Sequence, residues 1–310
     1  IVNALSFGLI DLNTLKNIKI QNFAFVEDRD YGYAVNVDLQ YGMVNIYQNW
    51  ERWPQQPTYA CSDVGNCVNP SQLKPEDMPS NEETIAIAND FLNEYAISKE
   101  GYASPRVADK SNWRILYEQA PADQKSSIYI PDQVQVVYPL MLEGKEVYDE
   151  GGSVYGLSVM VDVRTKRVSN ASELTSKQFE RSDYKGETDG KRIIKIAENG
   201  GFRNSLYIDP NSRKVELKLG APTVEMVKIY YSSDNYRTNS DLYMPAMVFP
   251  IENWKEAGYW RKNVIVPLVK SILDTDVQSQ PQPMPVDIPV SSPSVQGATE
   301  PAVMPENVAR

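Results

Sequence analysis

Five apolar side chains at strict two-residue spacing, Tyr155, Leu157, Val159, Val161 and Val163, constrain this chain more than any other stretch of it. A run of that period is a strand with one buried face, and it needs neighbouring strands and a layer beneath to be stable. The same period recurs in "YGYAVNVDL", where Tyr33, Val35, Val37 and Leu39 alternate with Ala34, Asn36 and Asp38. There "NFAFVE" precedes across the turn "DRDYG" and "MVNIY" follows across "QYG", so three antiparallel strands are predicted over residues 18–47.

Helical spacing marks two further places. In "SNEETIAIANDFLNEYAI" Ser80 and Glu83 form a capping box, and Ile85, Ala88, Phe91, Leu92 and Tyr95 share a face opposite Glu82, Glu83, Asp90 and Glu94. Strands are expected to follow in "WRILYE", "QVQVVYPLML" and "SVYGLSVMVDVRTKRV", the last turning at Thr165 and Lys166. A second pass of the same order comes after the polar stretch "NASELTSKQFERSDYKGETDG". Here "KRIIKIAENGG" reads as a short helix stopped at Gly200, followed by strands in "VELKLG", "VEMVKIYY" and "DLYMPAMVFPI". Pro245 and Pro250 predict that the last of these is an edge strand or is bulged.

The expected fold class is therefore α+β, with antiparallel sheets each packed with a helix. The predicted divisions are an N-terminal β-meander over 1–57, a loop over 58–79, one helix-plus-sheet module over 80–172, a second over 173–274, and a Pro-rich tail over 275–310. The helix followed by "YPLMLEGKEVYDEGGSVYGLSVMVDVRTKRV", with Val159, Val161, Asp162, Thr165 and Val168 in register, resembles the PepSY-like modules of bacterial exported proteins. Extracytoplasmic regulators of the YycH and YycI type are among them. The resemblance spans roughly residues 80–250 and implies an accessory or inhibitory binding role. It brings no catalytic residue with it, and the meander and the tail have no counterpart in that pattern.

The chain holds no histidine, which removes Ser-His-Asp and Cys-His catalysis and imidazole metal clusters. Its 31 Lys and Arg against 41 Asp and Glu leave a net charge of −10, so a nucleic-acid backbone is repelled and nucleic acid is not an expected partner. Apolar runs fall short of the ~18 residues a membrane span requires. The first residue is Ile1, which fits removal of an export signal or an anchor ahead of it, and fits an excerpt of a longer chain equally well.

The two cysteines, Cys61 and Cys67, flank "SDVGN" with its turn-forming residues. A disulfide closing so small a loop contributes about 2–3 kcal/mol and implies an oxidising, extracytoplasmic compartment, periplasmic, cell-surface or secreted. Two unpaired thiols are the alternative. A zinc site would need carboxylates to complete its shell, so no metal or other cofactor is expected.

"SQLK" at Ser71–Lys74 and "SDN" at Ser233–Asn235 match fragments of the penicillin-recognising serine enzymes, but Ser71 lies between Pro70 and Pro75 and the K-T-G element is missing. Paired carboxylates are the remaining catalytic route, with Asp28 and Asp30 or Asp149 and Glu150 as candidates; both pairs occupy predicted hairpin turns, where acidic residues are expected as solvated turn formers. Recognition surfaces are sought instead among Trp50, Trp53, Trp254 and Trp260, and in the tail at Val286, Ile288 and Val290. The leading expectation is a non-catalytic extracytoplasmic accessory or regulatory protein whose partner is another protein, membrane-associated or a neighbouring subunit. A carboxylate-dependent glycan-active enzyme and a subunit of a surface or filamentous assembly, strapped by its tail, are the alternatives.

Overall fold

The computed structural model describes residues 21–39, 41–54, 60–61, 67–68, 73–108, 112–175, 177–203, 216–233, 238–256 and 261–279. In chain order these form β1 (Asn22–Val26), β2 (Tyr33–Asp38), β3 (Met43–Gln48), β4 (Ala60–Cys61), β5 (Cys67–Val68), α1 (Asn81–Glu94), β6 (Arg106–Val107), α2 (Asn112–Gln119), β7 (Gln133–Pro139), β8 (Met141–Leu142), β9 (Lys145–Tyr148), β10 (Gly156–Asp162), β11 (Arg167–Ser172), α3 (Gly190–Glu198), β12 (Thr223–Ser233), β13 (Thr238–Pro250), β14 (Asn263–Pro267) and α4 (Lys270–Ser279). The strands build a seven-stranded sheet in the order β1-β2-β3-β11-β10-β7-β6, a five-stranded sheet in the order β14-β13-β12-β9-β8, and the short ribbon β4-β5. The fold is α+β, as expected from the alternating periods.

Helix α1 begins where its capping box predicts. The Ser80 hydroxyl accepts from the Glu83 N–H at 3.1 Å, while the Glu83 carboxylate pairs with Lys166 at 2.7 Å. Its apolar face, Ala88, Phe91 and Leu92, is buried on the seven-stranded sheet against Val136, Leu157, Val159 and Val161. The meander enters the same core through Tyr33, Val35, Ile46 and Trp53. Strand β3 pairs with β11, Tyr47 opposite Asn170 and Ile46 opposite Ala171. The described part of the stretch read as a separate unit over 1–57 thus shares a sheet and a core with the module after it, because the outer edge of β11 needs a strand and β3 supplies it.

The second core lies between the five-stranded sheet and helices α3 and α4, with Ile193, Ala197 and Leu273 packed on Val227, Ile229, Ala246, Val248 and Val266. Helix α3 ends at the predicted glycine. Gly201 N–H donates to the Ile196 carbonyl and Gly200 N–H to that of Ala197, a Schellman closure that uses the positive φ of 92° at Gly200.

Four local expectations are corrected. "WRILYE" is helix α2, since Trp113 and Tyr117 stand at helical spacing over Leu73, Ile130 and Val163. "QVQVVYPLML" divides between the two sheets, β7 in one and β8 in the other. In "VELKLG" the described part contributes only an isolated bridge from Leu219 to Ile251. Strand β13 is interior, between β12 and β14; Pro245 is tolerated because it lies one residue past the β14 ladder, whose last pair is Ala246 with Pro267. In addition, α4 carries helix to Ser279, into the segment assigned to the tail from residue 275.

Candidate functional site

The aromatic candidates separate by burial. Trp53 is a core residue: its indole N–H donates to the Gly32 carbonyl at 2.9 Å, and its ring meets Tyr31 and Tyr33 edge-on. Trp50, three positions earlier, is 66% exposed. Trp254 packs on the second core, with the Lys255 and Lys262 ammonium groups over its ring. Trp260, Val286, Ile288 and Val290 lie outside the described residues, as do the side chains of Cys61 and Cys67. The backbone pairs Cys61 directly with Cys67 across β4 and β5. Residues so paired have Cα atoms about 4.5–5.5 Å apart, a span that a disulfide can bridge.

The meander turns its inner face to α1 and leaves the outer face uncovered among the described residues. Register places Val26, Ala34 and Tyr47 in one cross-strand row and Asn22, Asp38 and Met43 in another. Val26, Met43 and Tyr47 are exposed, as are Leu39 and Tyr41 in the β2–β3 turn and Trp50 just past β3. Large apolar side chains thus gather at both ends of the outer face of the three strands, with Ala24, Asn36 and Asn45 between them. The tryptophan was legible in "NWERW". Met43 and Tyr47 were missed, although they break the alternation by placing apolar groups on the face expected to be polar.

The four turn carboxylates do not behave alike. Asp28 pairs with Arg52 on the surface and Asp30 is exposed. Asp149 Oδ1 accepts from the Ser153 N–H at 2.8 Å, and burial pushes this carboxyl above its ordinary value despite the turn N–H groups around it. Glu150 accepts from the Tyr230 N–H at 2.9 Å and from Arg203, whose guanidinium also donates to the Tyr230 carbonyl at 3.0 Å. The Glu150–Arg203 pair therefore occupies both backbone groups of Tyr230, where β12 runs past its short ladder with β9. These two acids are structural, and the solvated-turn reading fails for them.

Alanine at Glu150 or at Asp149 is accordingly expected to cost about 1–2 kcal/mol in urea unfolding, the loss of backbone caps that water replaces poorly. Alanine at Asp28 or Asp30 should stay within about 0.5 kcal/mol. Four equal values would contradict the distinction.

A denser polar group lies on the face of the five-stranded sheet away from the second core. The Lys228 ammonium donates to the Tyr155 hydroxyl at 3.0 Å, pairs with Asp241 at 3.0 Å, and stands 4.3 Å from the Tyr155 ring centre. Burial, with Glu173 and Tyr243 beside it, pushes the Tyr155 hydroxyl far above its ordinary value and keeps it protonated. Burial would also raise Glu173, but Tyr155 and Lys177 override it and hold the carboxyl below its usual range.

From Glu173, at φ 60°, the described residues cross this face and reach α3 with only an isolated bridge, Gly186 to Val269, along the way. Lys177 pairs with Glu173 at 2.9 Å, the Phe179 ring meets Tyr243 edge-on at 5.0 Å, and Arg181 pairs with Glu143. Among the described residues no hydrogen bond between backbone groups holds 177–184; the first such bond beyond them joins the Lys270 N–H to the Lys185 carbonyl.

No family model matches the sequence, and no curated protein matches it. Among solved structures, the Bacillus megaterium YpeB C-terminal domain aligns with 83% of this chain and 92% of its own length, at 12% identity and a TM-score of 0.30. That is a weak likeness of overall fold and carries no argument about the sites. No helix among the described residues is long and apolar enough to cross a membrane.

Proposed function

We propose that this chain is a non-catalytic, extracytoplasmic accessory or regulatory protein that binds another protein through the outer face of its meander. The observation that carries the reading is the outer face of the meander, where Val26, Met43 and Tyr47 are exposed on the side of the sheet away from α1, with the exposed Trp50 just past β3. An exposed apolar patch with aromatic rings on an open sheet face suits a protein surface better than a small molecule, which needs a concavity. The engagement of Asp149 and Glu150 as backbone caps weakens the competing glycan-active reading. The direct Cys61–Cys67 pairing of the ribbon supports export to an oxidising compartment.

A photocrosslinking residue placed at Tyr47 in the exported, full-length protein in its own host should give one discrete product. Placing it at the exposed Ile194 of α3 should not. Val26→Asp with Met43→Asp should abolish the Tyr47 product while leaving the thermal transition intact. Equal, diffuse labelling from both positions would defeat the assignment. In the same preparation Cys61 and Cys67 should resist alkylation until reduced, and alkylation of both without reduction would remove the case for an oxidising compartment.

A further inference from the structure

Alternate residues of an extended chain present their side chains on one side. After Glu173, Lys177, Phe179 and Arg181 stand at alternate positions and each takes a partner, although Phe179 and Arg181, like Gln178 and Glu180 between them, remain exposed. The receiving groups are two carboxylates, Glu173 and Glu143, with the rings of Tyr155 and Tyr243 as a floor. Lys177 also stands 5.4 Å from the centre of the Tyr155 ring. The surface below thus reads a basic, an aromatic and a basic side chain in turn.

We propose that residues 177–181 are a displaceable occupant of a peptide-binding groove, and that the groove's ligand is an extended segment of a partner protein with basic, aromatic and basic side chains at alternate positions. The charges beneath favour such a ligand. Once Lys177 and Arg181 are lifted away, Glu173 and Glu143 lose these cations, and the aromatic floor remains to receive a cation or a ring. The resident segment fits poorly. Phe179 stays 41% exposed, and Thr175 Oγ1 is buried without a hydrogen-bond partner among the described residues. Its anchors are an exposed ion pair at Arg181, one ring contact and the Lys177 pair, with no backbone ladder, so it lies at the weakly held end of the structure. A partner strand that buries its central ring more fully than Phe179 gains what the resident segment lacks. This site is independent of the meander face.

The test titrates the full chain with a synthetic peptide of residues 174–184, followed by NMR into the millimolar range. Because a closed segment lowers the apparent affinity by the fraction of open groove, the variant Lys177→Ala, Phe179→Ala, Arg181→Ala is expected to bind the peptide about tenfold more tightly than wild type. Shifts should centre on Tyr155, Tyr243 and Lys228. Adding Glu143→Lys to the variant should reverse the gain, and a peptide of the same composition with Phe beside Lys should not bind. A folded variant that binds no better than wild type, or that binds both peptides alike, overturns the proposal. Should the triple variant fail to fold, trypsin cleavage after Lys177 and Arg181 is compared in wild type and Phe179→Ala: release of the segment accelerates cleavage about tenfold, on the same open-fraction argument, and an unchanged rate overturns it.

Discussion

Gly156→Ala is expected to destabilise the chain by about 3–4 kcal/mol, a large effect for adding one methyl group. The new Cβ would stand 2.0 Å from the Tyr138 carbonyl oxygen and 2.6 Å from the Leu140 N–H nitrogen. Both are backbone atoms, so no side chain can rotate out of the way. Gly156 pairs with Pro139 at the end of the β7–β10 ladder, and the adjacent Tyr155 carbonyl accepts from Leu140 N–H at 2.9 Å. Relief would require opening the point where the chain leaves one sheet for the other. Gly190→Ala is the control. That residue opens α3 with nothing within 4 Å of a built Cβ, so alanine there should be neutral or stabilising by about 0.5 kcal/mol. Similar urea midpoints for the two variants would refute the close-approach argument.

Tyr33→Ala should cost about 3–5 kcal/mol, the range for removing a large aromatic side chain from a core. Its ring meets Trp53, Phe91 and Tyr95 at 5.9, 5.2 and 5.5 Å, and its hydroxyl donates to the Val168 carbonyl at 2.8 Å. It thus ties the meander to α1 and to β11 at once. Unfolding should remain a single transition, since the strands share a core; a separate early loss of the meander would show that they do not. Tyr33→Phe keeps the ring and should cost about 1–2 kcal/mol for the orphaned carbonyl.

Alkali offers a second reading of the same residue. Burial raises the Tyr33 hydroxyl above its ordinary value of 10, so its contribution is complete below pH 10 and is lost as pH climbs towards the folded value. Tyr95 and Tyr243 are raised for the same primary cause, and Tyr33→Phe should remove only one share of the alkaline loss.

Elements whose signal is local were legible in the sequence. Helix α1 has its cap and its face within one stretch, and β10 with β11 declares a hairpin by its period and its turn at Lys166, which adopts φ 52°. Choices of partner were not legible. "KEVY" in β9 alternates in a way that would serve either sheet, and only the three-dimensional fold places Val147 beside Met226. Composition could not separate Trp50 from Trp53, because burial of the second depends on a carbonyl at Gly32 and rings at Tyr31 and Tyr33. In "WRILYE" both periods fit so short a run, and the deciding contacts to Leu73 and Ile130 are distant in sequence. The segment over 177–181 read as polar filler; its alternation of Lys177, Phe179 and Arg181 was visible but meaningless without the carboxylates beneath it.

The parallel pairing of β9 with β12 has a consequence for anyone who would divide this protein. Residues 145–148 belong by position to the first module and by hydrogen bonding to the second sheet. A fragment ending at Ser172 would carry β8 and β9 away from the strand β9 lies against, and its complement would hold β12 stripped along one side. Each half would present an adhesive margin to every other copy. The two halves are therefore better treated as inseparable in expression and in recombination: exchange between relatives could swap the meander's loops or the hairpin tips, but a crossover between β9 and β12 would break the parallel ladder that joins β8 and β9, contributed by the first module, to the rest of the five-stranded sheet.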